Sequence, residues 1–249
     1  MSLLEVCVDD VAGLQAAVEG GADRIELCSC LDLGGLTPSA GLMAEAARLA
    51  LPVIALIRPR SGDFVYTAAE ERVMRRDIEL AAEAGLAGVA IGALGADGGL
   101  DLPMLERLAR HAGHLALTLH RAFDLVPEPG VALEAAIALG FQRVLSSGGA
   151  PTAPAGAAQL ATLVRQSRGR VQILAGSGIR ADNVGALMAA TGVTELHASC
   201  RIADDDVAAE LLAFGFASAP SRRSSAAAVR ALKEAIQARS AHLQISRCD

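Results

Sequence analysis

Short aliphatic runs recur along the chain at intervals of roughly 20–35 residues, and between them lie Ala-rich stretches with the apolar spacing of amphipathic helices. The pattern predicts strands at 3–8, 24–28, 53–58, 88–92, 115–120, 143–147, 171–175 and 194–198. It predicts helices near 10–19, 39–50, 68–84, 102–112, 130–139, 155–167 and 181–190. Asp9-Asp10, Thr37-Pro38-Ser39 and Asp101 read as helix starts, and Gly20-Gly21, Gly85 and Gly140 as helix stops. A repeated strand-then-helix unit builds a parallel sheet, and eight such units close as an α/β TIM barrel. A doubly wound open sheet, the main competitor, usually has fewer units. Residues 201–223 break the rhythm and read as irregular, and 224–240 read as a helix that completes the ring. No linker divides the chain, so residues 1–249 are expected to form a single domain.

Alternation along a strand sends residues two apart to one face. Two strands contain the phrase Glu-x-Cys, Glu5-Val6-Cys7 and Glu26-Leu27-Cys28, so each aims a carboxylate and a thiol the same way. Taking the last inward residue of each strand gives Cys7, Cys28, Arg58, Gly92, His120, Ser147, Gly176 and His197 at the mouth. The layer beneath is Glu5, Glu26, Leu56, Ala90, Thr118, Leu145, Leu174 and Glu195. Barrel interiors prefer branched aliphatics, so polar residues in phase on five strands point to chemistry at the mouth. Taken singly, a buried Cys is a small hydrophobe. Each Glu is equally well an ion-pair partner for Arg24, Arg58 or Arg121. Clustering, rather than identity, is what favours a site.

Composition narrows the class. Of 249 residues, 52% are hydrophobic but only 2% aromatic, so the core is aliphatic. A net charge of −6 and a pI near 5.4 argue against nucleic acid or an anionic membrane as partner. Ser2-Leu3-Leu4-Glu5 runs straight into a strand, which predicts no secretory leader, and no apolar run is long enough to span a bilayer. Five cysteines, an odd number, predict reduced thiols in a cytoplasmic protein. Cys30, Cys200 and Cys248 read as spectators. The only lysine is Lys233, outside every predicted strand, which excludes Schiff-base chemistry in the pocket.

The loops carry charge and glycine. Arg58-Pro59-Arg60 brings two guanidiniums to the rim, and His120-Arg121-Ala122-Phe123-Asp124 combines a base, a cation and a carboxylate. Ser146-Ser147-Gly148-Gly149 and Gly176-Ser177-Gly178 follow strands six and seven, where small residues let backbone N–H groups approach an anion. Gly-Ser-Gly alone also fits a tight turn. The expected anion-binding set is therefore Arg24, Arg58, Arg60, Arg121, Ser147, Gly148, Gly149, Gly176, Ser177 and Gly178.

Four motifs together resemble the CutC family: Gly21-Ala22-Asp23-Arg24-Ile25-Glu26-Leu27-Cys28; Gly34-Gly35-Leu36-Thr37-Pro38-Ser39; Ile57-Arg58-Pro59-Arg60 with Gly62-Asp63-Phe64; and His120-Arg121-Ala122-Phe123-Asp124. The resemblance covers residues 3–200. It implies a TIM barrel, a cytoplasmic location and a part in copper homeostasis, with Cys7 and Cys28 as copper ligands. Ser61, Ser177 and Cys30 depart from the family pattern, and residues 201–223 do not resemble its segment after strand eight.

Three functions follow. In the first, Cys7 and Cys28 hold Cu(I), since close thiolates suit a soft ion, with Cys30 or a nearby His as third ligand. In the second, an isomerase, lyase or hydrolase acts on a phosphorylated or carboxylated metabolite, with Glu26, His120, Asp124 and His197 as acids and bases. The third adds a hard divalent metal to the second. Leu211 to Phe216 is either an interface between copies in a homo-oligomer or packing beneath the barrel.

Overall fold

The structure, a computed structural model, describes residues 2–217 and 220–245, with side chains to 239; Cys248 lies outside the described residues. Eight parallel strands close a barrel in sequence order: β1 Leu3–Val8, β2 Arg24–Leu27, β3 Val53–Leu56, β4 Gly88–Ile91, β5 Ala116–Leu119, β6 Arg143–Ser146, β7 Gln172–Gly176 and β8 Glu195–Ala198. Between them run α1 Val11–Gly20, α2 Ala40–Ala46, α3 Ala68–Glu83, α4 Leu102–Ala112, α5 Pro129–Ala138, α6 Ala157–Ser167 and α7 Val184–Thr191. Each predicted strand and helix is present, with ends moved by a few residues. Local chemistry sets those ends. Asp10, Ser39 and Asp101 accept from backbone N–H groups of the first turns of α1, α2 and α4, and Thr67 with Glu70 forms a capping box on α3.

The principal core lies between barrel and helices. Outward-facing Leu4, Val6, Ile25, Leu27, Val89 and Ile91 are fully buried with Met74, Leu105 and Leu133 of the helices. Inside the barrel a smaller apolar cluster, Cys28, Ile54, Leu56 and Ala90, fills one side beneath the mouth. Parallel pairing therefore buries both faces of each strand, as the aliphatic runs require.

Register places the polar side chains. Glu5 stands level with Arg24 on β2 and with His197 on β8, and Cys7 stands level with Glu26. The inward parity expected from alternation is present, but the two Glu-x-Cys phrases are offset by one rung. Closing a sheet into a barrel staggers neighbouring strands, so Cys28 sits above Glu26 rather than beside Cys7.

Residues 201–223 are more ordered than expected. β9 Arg201–Ala203 and β10 Arg222–Ser224 pair antiparallel, with a short helix α8, Ala209–Ala213, between them. The apolar stretch there does not pack beneath the barrel. Phe214 and Phe216 are 76% and 81% exposed, with ring centroids 6.2 Å apart. The final helix, α9 Ala226–Ile245, packs against α1 and α7 in the eighth helix position. Its Lys233 pairs with Asp23, away from the mouth.

Candidate functional site

The barrel floor is an ion network. Glu5, 1% exposed, accepts from His197 Nδ1 at 2.8 Å and is paired with Arg24; Arg24 also donates to Glu195 at 2.7 Å. Arg143 Nε lies 3.3 Å from the same Glu195 carboxylate. Burial pushes the Glu5 carboxyl up, but the His197 hydrogen bond and the Arg24 charge outweigh it and hold it down at about 2. Arg24 is thus committed to two carboxylates and does not line the cavity above, which corrects its place in the anion-binding set. Arg143 was not anticipated, although it shares the phase of Leu145 and Ser147.

Above the floor opens a cavity of about 700 Å³, reached at the C-terminal ends of the strands. Cys7, Glu26 and His197 line it together, and their ligand atoms all lie within 4.8 Å of one another. His197 Nε2 is 3.8 Å from Glu26 Oε2, while its Nδ1 is held by Glu5. Burial lowers the affinity of His197 for a proton, but the Cys7 and Glu26 charges, with hydrogen bonds to Cys7 and Glu5, raise it well above the ordinary value. The Glu26 pKa is raised too. Burial, helped by Glu5 and opposed by His197 and Arg24, pushes its carboxyl up to about 7.

The other thiols stand apart. Cys28 is fully buried among Ile54, Leu56 and Ala90, and its Sγ donates to Val8 O at 3.4 Å. Burial, reinforced by Cys7, Glu26 and Asp9, pushes that thiol far above its ordinary range. Cys200 lines the cavity half-buried, pushed up to about 12 by burial and by Cys7, and Cys30 is exposed. Among the described residues, the set of three close ligating side chains is Cys7, Glu26 and His197, and neither Cys28 nor Cys30 belongs to it.

Across the mouth stand Arg58 and His120. His120 Nδ1 accepts from the Ala122 backbone N–H at 3.2 Å, and its ring lies 5.1 Å from that of Phe64. The ring packs on Gly92, where a Cβ would come within 2.4 Å of His120 Cε1. Burial and the nearby Arg58 charge push the imidazole down to about 3, so at neutral pH it is an uncharged donor rather than a base. Arg58 NH1 donates to Leu33 O and Gly35 O, both at 2.9 Å, and NH2 donates to Gly62 O at 3.1 Å. Arg60 is turned outward, where Glu70 and Asp63 pair it, so it is not a cavity cation.

The cup expected after strand six is already filled. Ser147 N, Gly149 N and the hydroxyls of Ser146 and Ser147 all donate to the Asp124 carboxylate, at 2.6–3.2 Å. Gly148 N donates to Ser146 Oγ, and Arg121 bridges Asp124 at 2.8 Å and Ser147 Oγ at 2.8 Å. Ser147 and Gly149 do bind an anion, but it is the protein's own, and Gly148 is tied to a hydroxyl. Asp124 is consequently a positioning group for the loop rather than an acid or base facing the cavity. Arg121 does line the cavity, as do Ser177 and Gly178, with Gly176 beneath them on β7. Ser177 holds a left-handed φ of 77° and donates to Pro151 O, so that loop is tied down as a tight turn.

A family model described as the CutC family matches residues 2–202. A family protein CutC from Rhizobium meliloti (strain 1021) is 55% identical over 235 residues, covering 94% of this chain and 96% of the relative. One from Caulobacter vibrioides (strain NA1000 / CB15N) is 50% identical over 238 residues, covering 95% and 97%. The crystal structure of the Streptococcus agalactiae CutC protein, named for copper homeostasis, superposes with a TM-score of 0.77 at 31% identity, covering 80% of this chain and 99% of that one.

Proposed function

The chain belongs to the CutC family, and from that premise we propose that it binds Cu(I) at the barrel mouth, with Cys7 as the leading ligand and His197 Nε2 as the second. One observation carries this reading. Among the described residues, Cys7, Glu26 and His197 are the group of three metal-ligating side chains close enough to share an ion. A thiolate and an imidazole suit a soft monovalent ion, and Glu26 is the harder, weaker partner. A linear pair of thiolates fits less well, since Cys28 is turned to a backbone carbonyl in an apolar pocket and resists ionisation. His197 must lose its proton to bind, so affinity falls as pH falls. Free thiols and the lack of any membrane-spanning helix among the described residues support the cytoplasm as its compartment.

An anaerobic Cu(I) titration against a competing chelator tests the assignment. One equivalent bound by wild type, lost in Cys7→Ser and kept in Cys28→Ser, is expected. Binding lost only in Cys28→Ser restores the two-thiolate set, and binding unchanged in both variants removes the site.

A second reading rests on size. About 700 Å³ is far more than one ion occupies and falls in the range of small-molecule pockets. Under it, Glu26 near neutrality is the general acid or base and the cationic His197 an electrostatic partner, acting on a small anionic metabolite.

A further inference from the structure

We infer that the β3–β5 wall of the cavity is a subsite for the oxyanion, carboxylate or phosphate, of a small organic ligand, bound by the N–H groups of Arg58 Nε and His120 Nε2. This deepens the second reading and does not depend on the metal.

Two buried donors without partners carry the argument. Arg58 is 8% exposed, and its acceptors are three neutral carbonyls; among the described residues no carboxylate pairs with it. Its Nε is buried and bonded to nothing. A buried guanidinium without a counter-charge is strongly unfavourable, so the compensating anion is to be sought in the space it faces. His120 is 4% exposed, and because Nδ1 accepts from Ala122 N–H, the ring proton sits on Nε2. That Nε2–H is also buried and unpartnered. Leaving such donors unmade is costly, and native structures keep them where something else completes them.

Both groups line the same cavity, and both are held in place. Phe64 lies against each, with the Arg58 guanidinium carbon 5.1 Å from its ring centroid and the His120 ring on its other contact. Gly92 leaves room for the imidazole where any side chain would displace it. Two N–H donors on residues that line one cavity suit a planar carboxylate or a phosphate edge. At the rim, Arg222 lines the cavity with no ion pair among the described residues, adding attraction for an anion.

The test uses inorganic phosphate, glycolate and 2-phosphoglycolate as probes, followed by calorimetry and melting temperature on the metal-free protein. At least one probe is expected to bind the metal-free wild type. Its affinity should fall about tenfold or more in His120→Phe, which keeps a ring against Gly92 and Phe64 but removes the donor. Phosphate without glycolate assigns the subsite to phosphate, and glycolate without phosphate to carboxylate. If none of the probes binds at millimolar concentration, or if His120→Phe binds equally well, the subsite is overturned. Should His120→Phe fail to fold, histidine ¹⁵N resonances of wild type decide. The Nε2 signal of His120 is expected to show a neutral, Nε2-protonated ring and to move with the probe, and a signal unmoved overturns the inference. Copper binding to Cys7 is measured separately, so either assignment can fail alone.

Discussion

Replacing Glu26 by Gln should stabilise the protein at alkaline pH and leave it nearly unchanged in acid. The carboxyl is buried beside Glu5, and burial lifts its pKa from 4.5 to about 7. Between those values the folded chain holds a proton that the unfolded chain has released. With more protons bound in the folded state, stability must fall as pH rises through that window, and the loss is complete above it. Each pKa unit corresponds to about 1.4 kcal/mol, so the penalty carried by wild type at about pH 8 is on the order of 3 kcal/mol. Gln has the same shape, accepts no such charge, and escapes the penalty. For a chain of this length that is a difference in melting temperature of roughly 6–12 °C. His197 titrates in both proteins. Part of its raised pKa comes from the Glu26 charge, so in the variant His197 releases its proton at a lower pH, and this offsets part of the gain. The assay is denaturant unfolding of both proteins at about pH 5 and about pH 8, with a chelator present to keep metal from the site. Equal differences at the two pH values would refute the reasoning, because Glu26 would then ionise as readily folded as unfolded.

Three further outcomes can be checked. Gly92→Ala should cost about 1–3 kcal/mol and shift the His120 ring resonances, because its Cβ would lie 2.4 Å from His120 Cε1; an unshifted ring would mean the imidazole has another seat. Arg24→Met should cost about 3–5 kcal/mol in denaturant unfolding, since it strands Glu5 and Glu195 without their shared cation. In native protein at neutral pH, an alkylating reagent followed by mass spectrometry should modify exposed Cys30 well before Cys28, whose thiol is buried and held protonated.

Much of this barrel could be read from the chain because its signals are local. Aliphatic runs such as Val53–Leu56 and caps such as Asp10 and Ser39 act within a few residues, and strand parity follows from alternation. What alternation cannot supply is the stagger between strands. It places Cys7 and Cys28 on the same inner face but says nothing of their relative height, which depends on how all eight strands close. Long-range occupancy was equally hidden. The glycine-rich turn after β6 has the composition of an anion cup, yet the anion comes from Asp124, more than twenty residues earlier in the chain. Arg58 and Arg60 look alike at the sequence level, but only Arg58 lines the cavity, against the Phe64 ring, while Glu70 and Asp63 draw the other away. Arg143 escaped notice because its role depends on Glu195 and Arg24, which no spacing in β6 reveals.

The cavity has two unlike walls, and neither accounts for the other. On the β1, β2 and β8 side, Cys7, Glu26 and His197 form a mixed sulfur, oxygen and nitrogen set whose ligand atoms lie within 4.8 Å of one another. An ion seated there needs nothing from Arg58 or His120. On the β3 and β5 side stand a buried cation that pairs with no carboxylate, and a buried imidazole N–H that meets no acceptor, among the described residues. An anion seated there needs no thiol. A copper carrier alone would have little use for the second wall, and a simple anion receptor little use for the first. We propose that one cavity presents a small anionic molecule to the Cys7, His197 and Glu26 side chains, with or without a metal between them. That is why the anion and copper measurements must be made on the same protein: only together do they tell a carrier with an idle wall from a site that uses both.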